Sequence, residues 1–247
     1  MMITTEFVDL PVDGSTLRMF VASPRAEGRY PGVIFYSDIF QLTPPMLRIS
    51  RRLAGYGFTV IAPEIYHRIE PPGTVFDFEA DRARAIDASG KIPTSDFDAD
   101  LRAEVEFMKA HPRIDPDRLF AAGFCFGGHL AFRAALLPEV KATACFYGTG
   151  IHNDKLGSDS AESLSRAAEI RGKLLMVFGT LDPHIPEEGR VLIDSALKTA
   201  GVDYQIQLYP AEHTFMRDEG SRHDPEATDL AFGTMIGLFR KNTAENG

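Results

Sequence analysis

The sequence predicts an α/β fold, with a mostly parallel central sheet flanked by helices on both faces. Three observations predict it. Apolar runs of strand length alternate with segments of helical spacing along most of the 247 residues. Some runs, such as Gly32-Val33-Ile34-Phe35-Tyr36, are almost continuously apolar, as strands buried on both faces of a parallel sheet are. One such run, Leu119–Ala122, passes through Gly123-Phe124-Cys125-Phe126-Gly127-Gly128 straight into the helix-like run Leu130–Leu137, leaving a thiol at the apex of a sharp turn.

The elements follow in order. Ile3–Val8 and Thr16–Val21 read as strands joined through the turn Asp13-Gly14. Gly32–Tyr36 is the first buried strand. Thr43-Pro44 reads as an N-cap with proline at the first helical position. Met46, Ile49 and Leu53 share one face of that helix, which Gly55 and Gly57 end. Phe58–Ala62 is the next strand. Pro71-Pro72-Gly73 then breaks the chain and Phe76–Ile86 is expected as a short helix, so residues 64–95 read as an insertion beside the prospective active-site face. Ser95-Asp96 is expected to cap a helix carrying Leu101, Val105 and Met108 at helical spacing. After the Cys125 turn come the strands Ala142–Tyr147 and Lys173–Phe178, with one helix expected within 150–171 between them. Glu187–Thr199 is helical. Tyr204–Leu208 alternates apolar and polar, a strand buried on one face and lying towards an edge. Asp224-Pro225 opens a last helix with Ala227, Leu230, Ala231, Thr234 and Leu238 as its apolar stripe. With no repeat or low-complexity tract, residues 1–247 read as one domain.

Composition excludes several functions. A formal net charge of -9 argues against a nucleic-acid surface, which needs clustered Lys and Arg. An anionic substrate would need local arginines to hold it against that field. Cys125 and Cys145 are the only cysteines, so no disulfide framework is expected and a reducing cytoplasm is the natural setting. The N-terminus lacks a basic segment followed by an apolar one, so no signal peptide is expected. No apolar run approaches the roughly 20 residues that cross a bilayer.

A strand, a Gly-flanked turn and a helix put Cys125 where the α/β-hydrolase fold carries its nucleophile, usually Ser. Small neighbours are required because the apical residue sits in a strained turn where Cβ atoms would collide. A tightly packed turn around an inert thiol would look the same in the hexapeptide alone, so the rest of the chain decides. A nucleophilic Cys needs a base, and the base needs an orienting acid. Asp182, in Gly179-Thr180-Leu181-Asp182-Pro183, follows one strand, and His213, in Ala211-Glu212-His213-Thr214-Phe215, follows the next. Both fall just beyond C-terminal strand ends, where open α/β sheets build their sites. The order nucleophile, acid, histidine is that of the hydrolases. Other candidates fit less well. His184 shares the Asp182 loop and reads as a pocket-rim residue, although it competes as a base. His129, in the first turn after Cys125, reads as packing or bonding locally. His67, His111, His152 and His223 have no partner that spacing identifies, and Cys145 reads as a core thiol. No His/Cys cluster has metal-ligand spacing, and the glycines around Cys125 lack the dinucleotide fingerprint. No metal or organic cofactor is expected.

From about the third strand to the last helix, the chain resembles the dienelactone hydrolase family (carboxymethylenebutenolidases). The resemblance is carried by Gly123-Phe124-Cys125-Phe126-Gly127-Gly128, Asp182 and His213-Thr214-Phe215. Ser37-Asp38-Ile39-Phe40, Ala62-Pro63-Glu64-Ile65-Tyr66, Cys145-Phe146-Tyr147-Gly148 and Phe215-Met216-Arg217 also match in kind. It implies hydrolysis of a lactone or ester, dienelactone-like, with Cys125 as nucleophile, His213 as base, Asp182 as its orienter and a thioester intermediate. It implies an oxyanion hole from the backbone N–H groups of Ile39 and Phe126, the second of which the turn itself also predicts. Asp38 matches a family Glu that partners the resting thiol, but is one methylene shorter. Gln41 stands where the family has Gly. Arg217 matches one carboxylate-holding arginine of the family. Arg84 matches another, with Arg82 nearly as good. The implied partner is a small-molecule lactone or ester; nucleic acid and membrane are not expected, and the chain is expected in the cytoplasm as a monomer or small homo-oligomer.

Two other readings use the same residues. One is a carboxylesterase or thioesterase with this triad and a neutral acyl pocket. The other is a non-catalytic hydrolase-fold protein whose Cys125 senses oxidants or binds a ligand.

Overall fold

The computed structural model describes residues 1–244. In chain order the elements are β1 (Ile3–Val12), β2 (Ser15–Pro24), β3 (Tyr30–Tyr36), α1 (Pro44–Gly55), β4 (Thr59–Pro63), α2 (Arg82–Ser89), α3 (Thr94–Ala110), β5 (Ile114–Phe124), α4 (Phe126–Ala135), β6 (Val140–Phe146), β7 (Lys155–Leu156), β8 (Asp159–Ser160), β9 (Lys173–Gly179), α5 (Glu187–Thr199), β10 (Tyr204–Tyr209) and α6 (Pro225–Ala244). Eight strands form one sheet in the order β1-β2-β4-β3-β5-β6-β9-β10. β1, β2 and β4 pair antiparallel, and from β4 to β10 every pairing is parallel. Asp13 and Gly14 both take positive φ (47° and 79°), the two-residue turn whose twist suits a hairpin. This is the α/β-hydrolase fold.

Sheet order explains which helices share a face. The crossover β3-α1-β4 runs towards β1, whereas β4-α3-β5, β5-α4-β6 and β9-α5-β10 run towards β10. Right-handed crossovers in opposite directions place their helices on opposite faces. α6 returns to the α1 face, where the ring of Phe239 stacks on Phe120 of β5 at 4.9 Å and Tyr56, just after α1, lies 5.7 Å from Phe232. β3, β4, β6, β9 and the Leu119–Phe124 half of β5 are buried on both faces, as their continuous apolar runs require. α4 is buried at every position, so it is the helix most enclosed by the fold. β10 lies at the sheet edge, as its alternating sequence predicts.

Four expectations are corrected. Residues 150–171 hold no α-helix but the β7-β8 pair and a 3-10 turn at Ala167–Glu169. Gly150, Asp154, Gly157 and Glu162 all take positive φ there, which a right-handed helix cannot absorb. The helix expected over Phe76–Ile86 begins only at Arg82, because Asp77 Oδ1 accepts the backbone N–H groups of Glu79 and Ala80 and holds a turn instead. The α3 start is not capped by Ser95-Asp96. Thr94 opens it, and Asp159 Oδ1, from β8, accepts from both the N–H and the hydroxyl of Thr94 at 2.9 and 2.6 Å. The buried stripe of α6 is Ala227, Thr228, Ala231, Phe232, Met235, Ile236 and Phe239, while Leu230 is 55% exposed. Among the described residues no helix is long and apolar enough to cross a membrane.

Candidate active site

Cys125 sits between β5 and α4 with φ 57° and ψ −119°, a conformation that costs a non-glycine residue about 1–3 kcal/mol. The surroundings fix it. Its N–H donates to Phe146 O at 3.0 Å, and its carbonyl accepts from the N–H groups of Gly128 at 2.9 Å and Thr149 at 3.2 Å. Gly123 and Gly127 lie back to back across the turn. A Cβ on Gly123 would occupy the Gly127 carbonyl, and one on Gly127 would strike the carbonyls of Tyr36 and Ser37. The two glycines are therefore what lets the strand turn so sharply into the helix and leave the thiol at the apex.

The loops after β9 and β10 bring the next two side chains to this sulfur. They are bonded to each other through Thr180 N–H to Tyr209 O at 2.7 Å and Leu181 N–H to Ala211 O at 3.1 Å. His213 Nε2 lies 3.1 Å from Cys125 Sγ, and His213 Nδ1 lies 2.6 Å from Asp182 Oδ2. Asp182 Oδ1 accepts the His184 N–H at 2.8 Å, so both of its oxygens are held. Burial pulls the pKa of His213 down, but the adjacent sulfur and the Asp182 carboxylate outweigh that and lift it to about 9. The rings of Tyr147 and His184 stand edge-on to His213 at 5.2 and 4.7 Å and confine its plane. Burial and then the neighbouring His213 push the His184 pKa down.

These groups open on a cavity of about 240 Å³, lined among others by Ile39, Phe126, Phe78, Arg82 and Ile86. Asp38 begins a tight turn: its carbonyl accepts from Gln41 N–H at 3.1 Å and its Oδ1 from Phe40 N–H at 2.9 Å. Among the described residues no acceptor meets the N–H of Ile39 or of Phe126.

The predicted site residues do not all converge. Cys125, His213, Asp182, Ile39, Phe126, Asp38 and Arg217 line or adjoin the cavity. Arg217 lies over the Phe78 ring at 3.9 Å from its centroid, with Nη1 3.9 Å from Asp38 Oδ2. Its Nε and Nη1 are buried without a hydrogen-bond partner. Asp38 departs from its expected role as partner of the thiol, because its short side chain is taken up by the Phe40 N–H and no hydrogen bond joins it to Cys125. Burial raises its pKa to about 6, against the pull of the Phe40 N–H, Arg217 and His213. Arg84 is also corrected: its guanidinium is bonded to Glu70 and lies over Phe76, away from the cavity. Arg82 faces the cavity in its place.

Sequence reasoning missed Tyr147, Thr149, Phe78 and Arg222, all at or beside the site. Tyr147 and Thr149 follow the C-terminal end of β6, so the rule that found Asp182 and His213 also points to them. Phe78 and Arg222 lie in irregular segments and carry no such signal. His129 is bonded to Thr149 O at 3.1 Å and Ser163 Oγ at 2.7 Å, partners 20 and 34 residues away in sequence. His67 lies between Ser15 and Asp100 at 2.9 and 3.0 Å, outside the cavity. Cys145 is fully buried and burial pushes its thiol pKa far up. Among the described residues no group of three or more His, Cys, Asp or Glu side chains is arranged to hold a metal ion.

Comparison with known proteins agrees with this architecture. The model of the dienelactone hydrolase family matches residues 17–243. A provisionally named carboxymethylenebutenolidase of Saccharomyces cerevisiae is 35% identical over 254 residues, covering 98% of this chain and 93% of the relative. A carboxymethylenebutenolidase of a Pseudomonas species is 30% identical, with 87% of each chain covered. The crystal structure of a provisionally named dienelactone hydrolase from Klebsiella pneumoniae superimposes with a TM-score of 0.86 at 27% identity, covering 98% of this chain and 100% of that one.

Proposed function

This chain belongs to the dienelactone hydrolase family and is a hydrolase of carboxylic esters or lactones, and we propose that it acts through a Cys125-His213-Asp182 triad on a substrate carrying a carboxylate. The observation that carries this reading is the 3.1 Å approach of His213 Nε2 to a sulfur held at a strained strand-to-helix turn, beside a cavity bordered by Arg217.

The carboxylate docks on the guanidinium of Arg217, which borders the cavity and, being planar, suits two parallel hydrogen bonds to a carboxylate. Raised to about 9, His213 keeps its proton through neutral pH, and an imidazolium beside sulfur is the setting in which thiolates act as nucleophiles. Cys125 Sγ attacks the carbonyl carbon, and the carbonyl electron pair moves to oxygen. The N–H groups of Phe126 and Ile39 receive that oxyanion. Losing one donor in such a hole costs about 3–4 kcal/mol. As the C–O bond breaks, His213 gives its proton to the leaving oxygen and a thioester remains on Cys125. His213 then takes a proton from water, which attacks the thioester, releases the acid and regenerates the thiolate. Asp182 holds the imidazole in the tautomer these transfers need.

The test is hydrolysis of an anionic dienelactone and of a neutral nitrophenyl ester by the variants. Cys125→Ala is expected to abolish both activities and keep the fold; substantial turnover by it refutes the triad. Arg217→Ala is expected to reduce kcat/KM for the dienelactone at least tenfold more than for the neutral ester. Equal losses would favour a neutral acyl substrate.

A further inference from the structure

We propose that Gln41 is a positioning residue, mooring the turn that carries the Ile39 N–H to the 64–76 segment and so aligning one oxyanion donor with the cavity. The inference rests on the oxyanion hole proposed above. It concerns a side chain that touches neither the substrate nor Cys125.

Four observations carry it. Gln41 is a non-glycine residue at φ 67°, a left-handed conformation disfavoured for long side chains, and it is only 1% exposed. Both ends of its amide are engaged with backbone. Nε2 donates to Thr74 O at 2.8 Å, and Oε1 accepts from Tyr66 N–H at 3.3 Å. Its own N–H closes the turn onto Asp38 O at 3.1 Å, which makes Ile39 the second residue of a four-residue turn. The N–H of that second residue is not used by the turn's closing bond. Finally, the segment Gln41 grips leads into Phe78, which lines the cavity: Phe76 N–H bonds Phe40 O at 3.2 Å, and the Phe78 ring packs edge-on against Phe40 at 5.0 Å.

The physical consequence follows from these bonds. A glycine at position 41 would adopt the same φ without strain. It would leave the Tyr66 N–H and the Thr74 carbonyl without their partner and free the turn to pivot about Asp38. A donor displaced by even a fraction of an ångström stabilises the oxyanion less, whereas the ground-state ester loses nothing. The 64–76 segment is thereby part of the oxyanion machinery, although it carries none of the triad side chains.

The experiment uses the full chain and a neutral nitrophenyl ester, so that Arg217 does not enter. Gln41→Gly is expected to lower kcat and kcat/KM together by about tenfold with KM within twofold, as for an interaction made only in the transition state. Alkylation of Cys125 by iodoacetamide should stay at the wild-type rate, because the Cys125-His213 pair is not altered. Gln41→Glu adds a second readout. Its carboxylate accepts from Tyr66 N–H but cannot donate to Thr74 O, whereas the protonated acid can do both. Burial favours the protonated form as pH falls, so the ratio of this variant's kcat to that of wild type should rise between pH 8 and pH 5.5. The proposal is overturned if Gln41→Gly keeps kcat within twofold, if alkylation slows as much as turnover, or if the Gln41→Glu ratio is flat with pH. Cys125→Ala in the same assay separates the two levels: activity surviving there removes the nucleophile reading and the clamp with it. An inactive Cys125→Ala beside an unaffected Gln41→Gly removes the clamp alone.

Discussion

A carboxylate with only 2% of its surface exposed is costly to keep charged, and Asp38 is such a group. Burial raises its pKa to about 6, and the Phe40 N–H, Arg217 and His213 recover only part of the desolvation cost. A carboxyl whose folded pKa lies above its unfolded value binds its proton more tightly in the native state. Its favourable contribution is complete below the unfolded value near 4 and is lost as pH rises through about 6. Asp38→Asn keeps an acceptor for the Phe40 N–H and removes the charge. It is therefore expected to stabilise the protein above pH 7 by up to about 3 kcal/mol, with the gain vanishing towards pH 4. Urea unfolding at pH 8 and pH 4.5 measures this. Destabilisation at both pH values would mean that the Arg217-Asp38 attraction outweighs the burial of the charge. The same residue shows how far single positions are legible: its acidic type and place after β3 are plain in the sequence, but a side chain one methylene shorter is claimed by its own turn instead of reaching the sulfur.

At the scale of elements, the turn from β5 to α4 and the long helix α6 make opposite predictions for the same substitution. Gly127→Ala forces a methyl into the carbonyls of Tyr36 and Ser37, which are main-chain atoms of β3 and its exit and cannot rotate away. A loss of about 3 kcal/mol is expected. At Gly233 in α6, nothing lies within 4 Å of the place a methyl would take, so Gly233→Ala should add about 0.5–1 kcal/mol through helix propensity. Thermal unfolding of the two variants checks both signs, and similar effects would show that packing at the turn is looser than the contacts imply. The same contrast separates what is legible in the sequence from what is not. Parallel strands, the turn at Cys125 and the order Cys125, Asp182, His213 follow from local rules of periodicity, glycine placement and strand ends. The 150–171 segment escapes those rules because its left-handed Gly150, Asp154, Gly157 and Glu162 are imposed by packing, with Gly157 pressed on the Ile92 carbonyl. Arg84 misses the cavity because periodicity alone does not fix where α2 starts. On that helix Arg82, Ile86 and Ser89 recur every three to four residues and face the cavity, while Arg84 turns about 200° away to Glu70. The α6 stripe lies about one residue from its expected place for a similar reason: Leu230 is apolar but lies off the face that the sheet covers.

At the scale of the whole molecule, the site exists only when the sheet is complete. Its groups leave the C-terminal ends of β3, β5, β6, β9 and β10, and the Cys125-His213 contact joins residues 88 apart in sequence. Such contacts form with the global fold and not before it. The two cysteines report on this from opposite sides. Cys125 faces the cavity, whereas Cys145 is completely buried in β6 between Gly123 of β5 and Met176 of β9. Strands in the middle of a sheet exchange with solvent only through the largest openings. With excess aromatic disulfide reagent at neutral pH, one thiol per chain is expected to react quickly. The second should react slowly, at a rate that rises with urea along the slope of global unfolding. His213→Ala should slow the first phase and leave the urea slope of the second unchanged. If Cys145 instead labels rapidly without urea, or independently of urea, then β6 opens locally. The site would then rest on a sheet that breathes at its centre, and the fixed 3.1 Å geometry would describe only part of the time that the enzyme is folded.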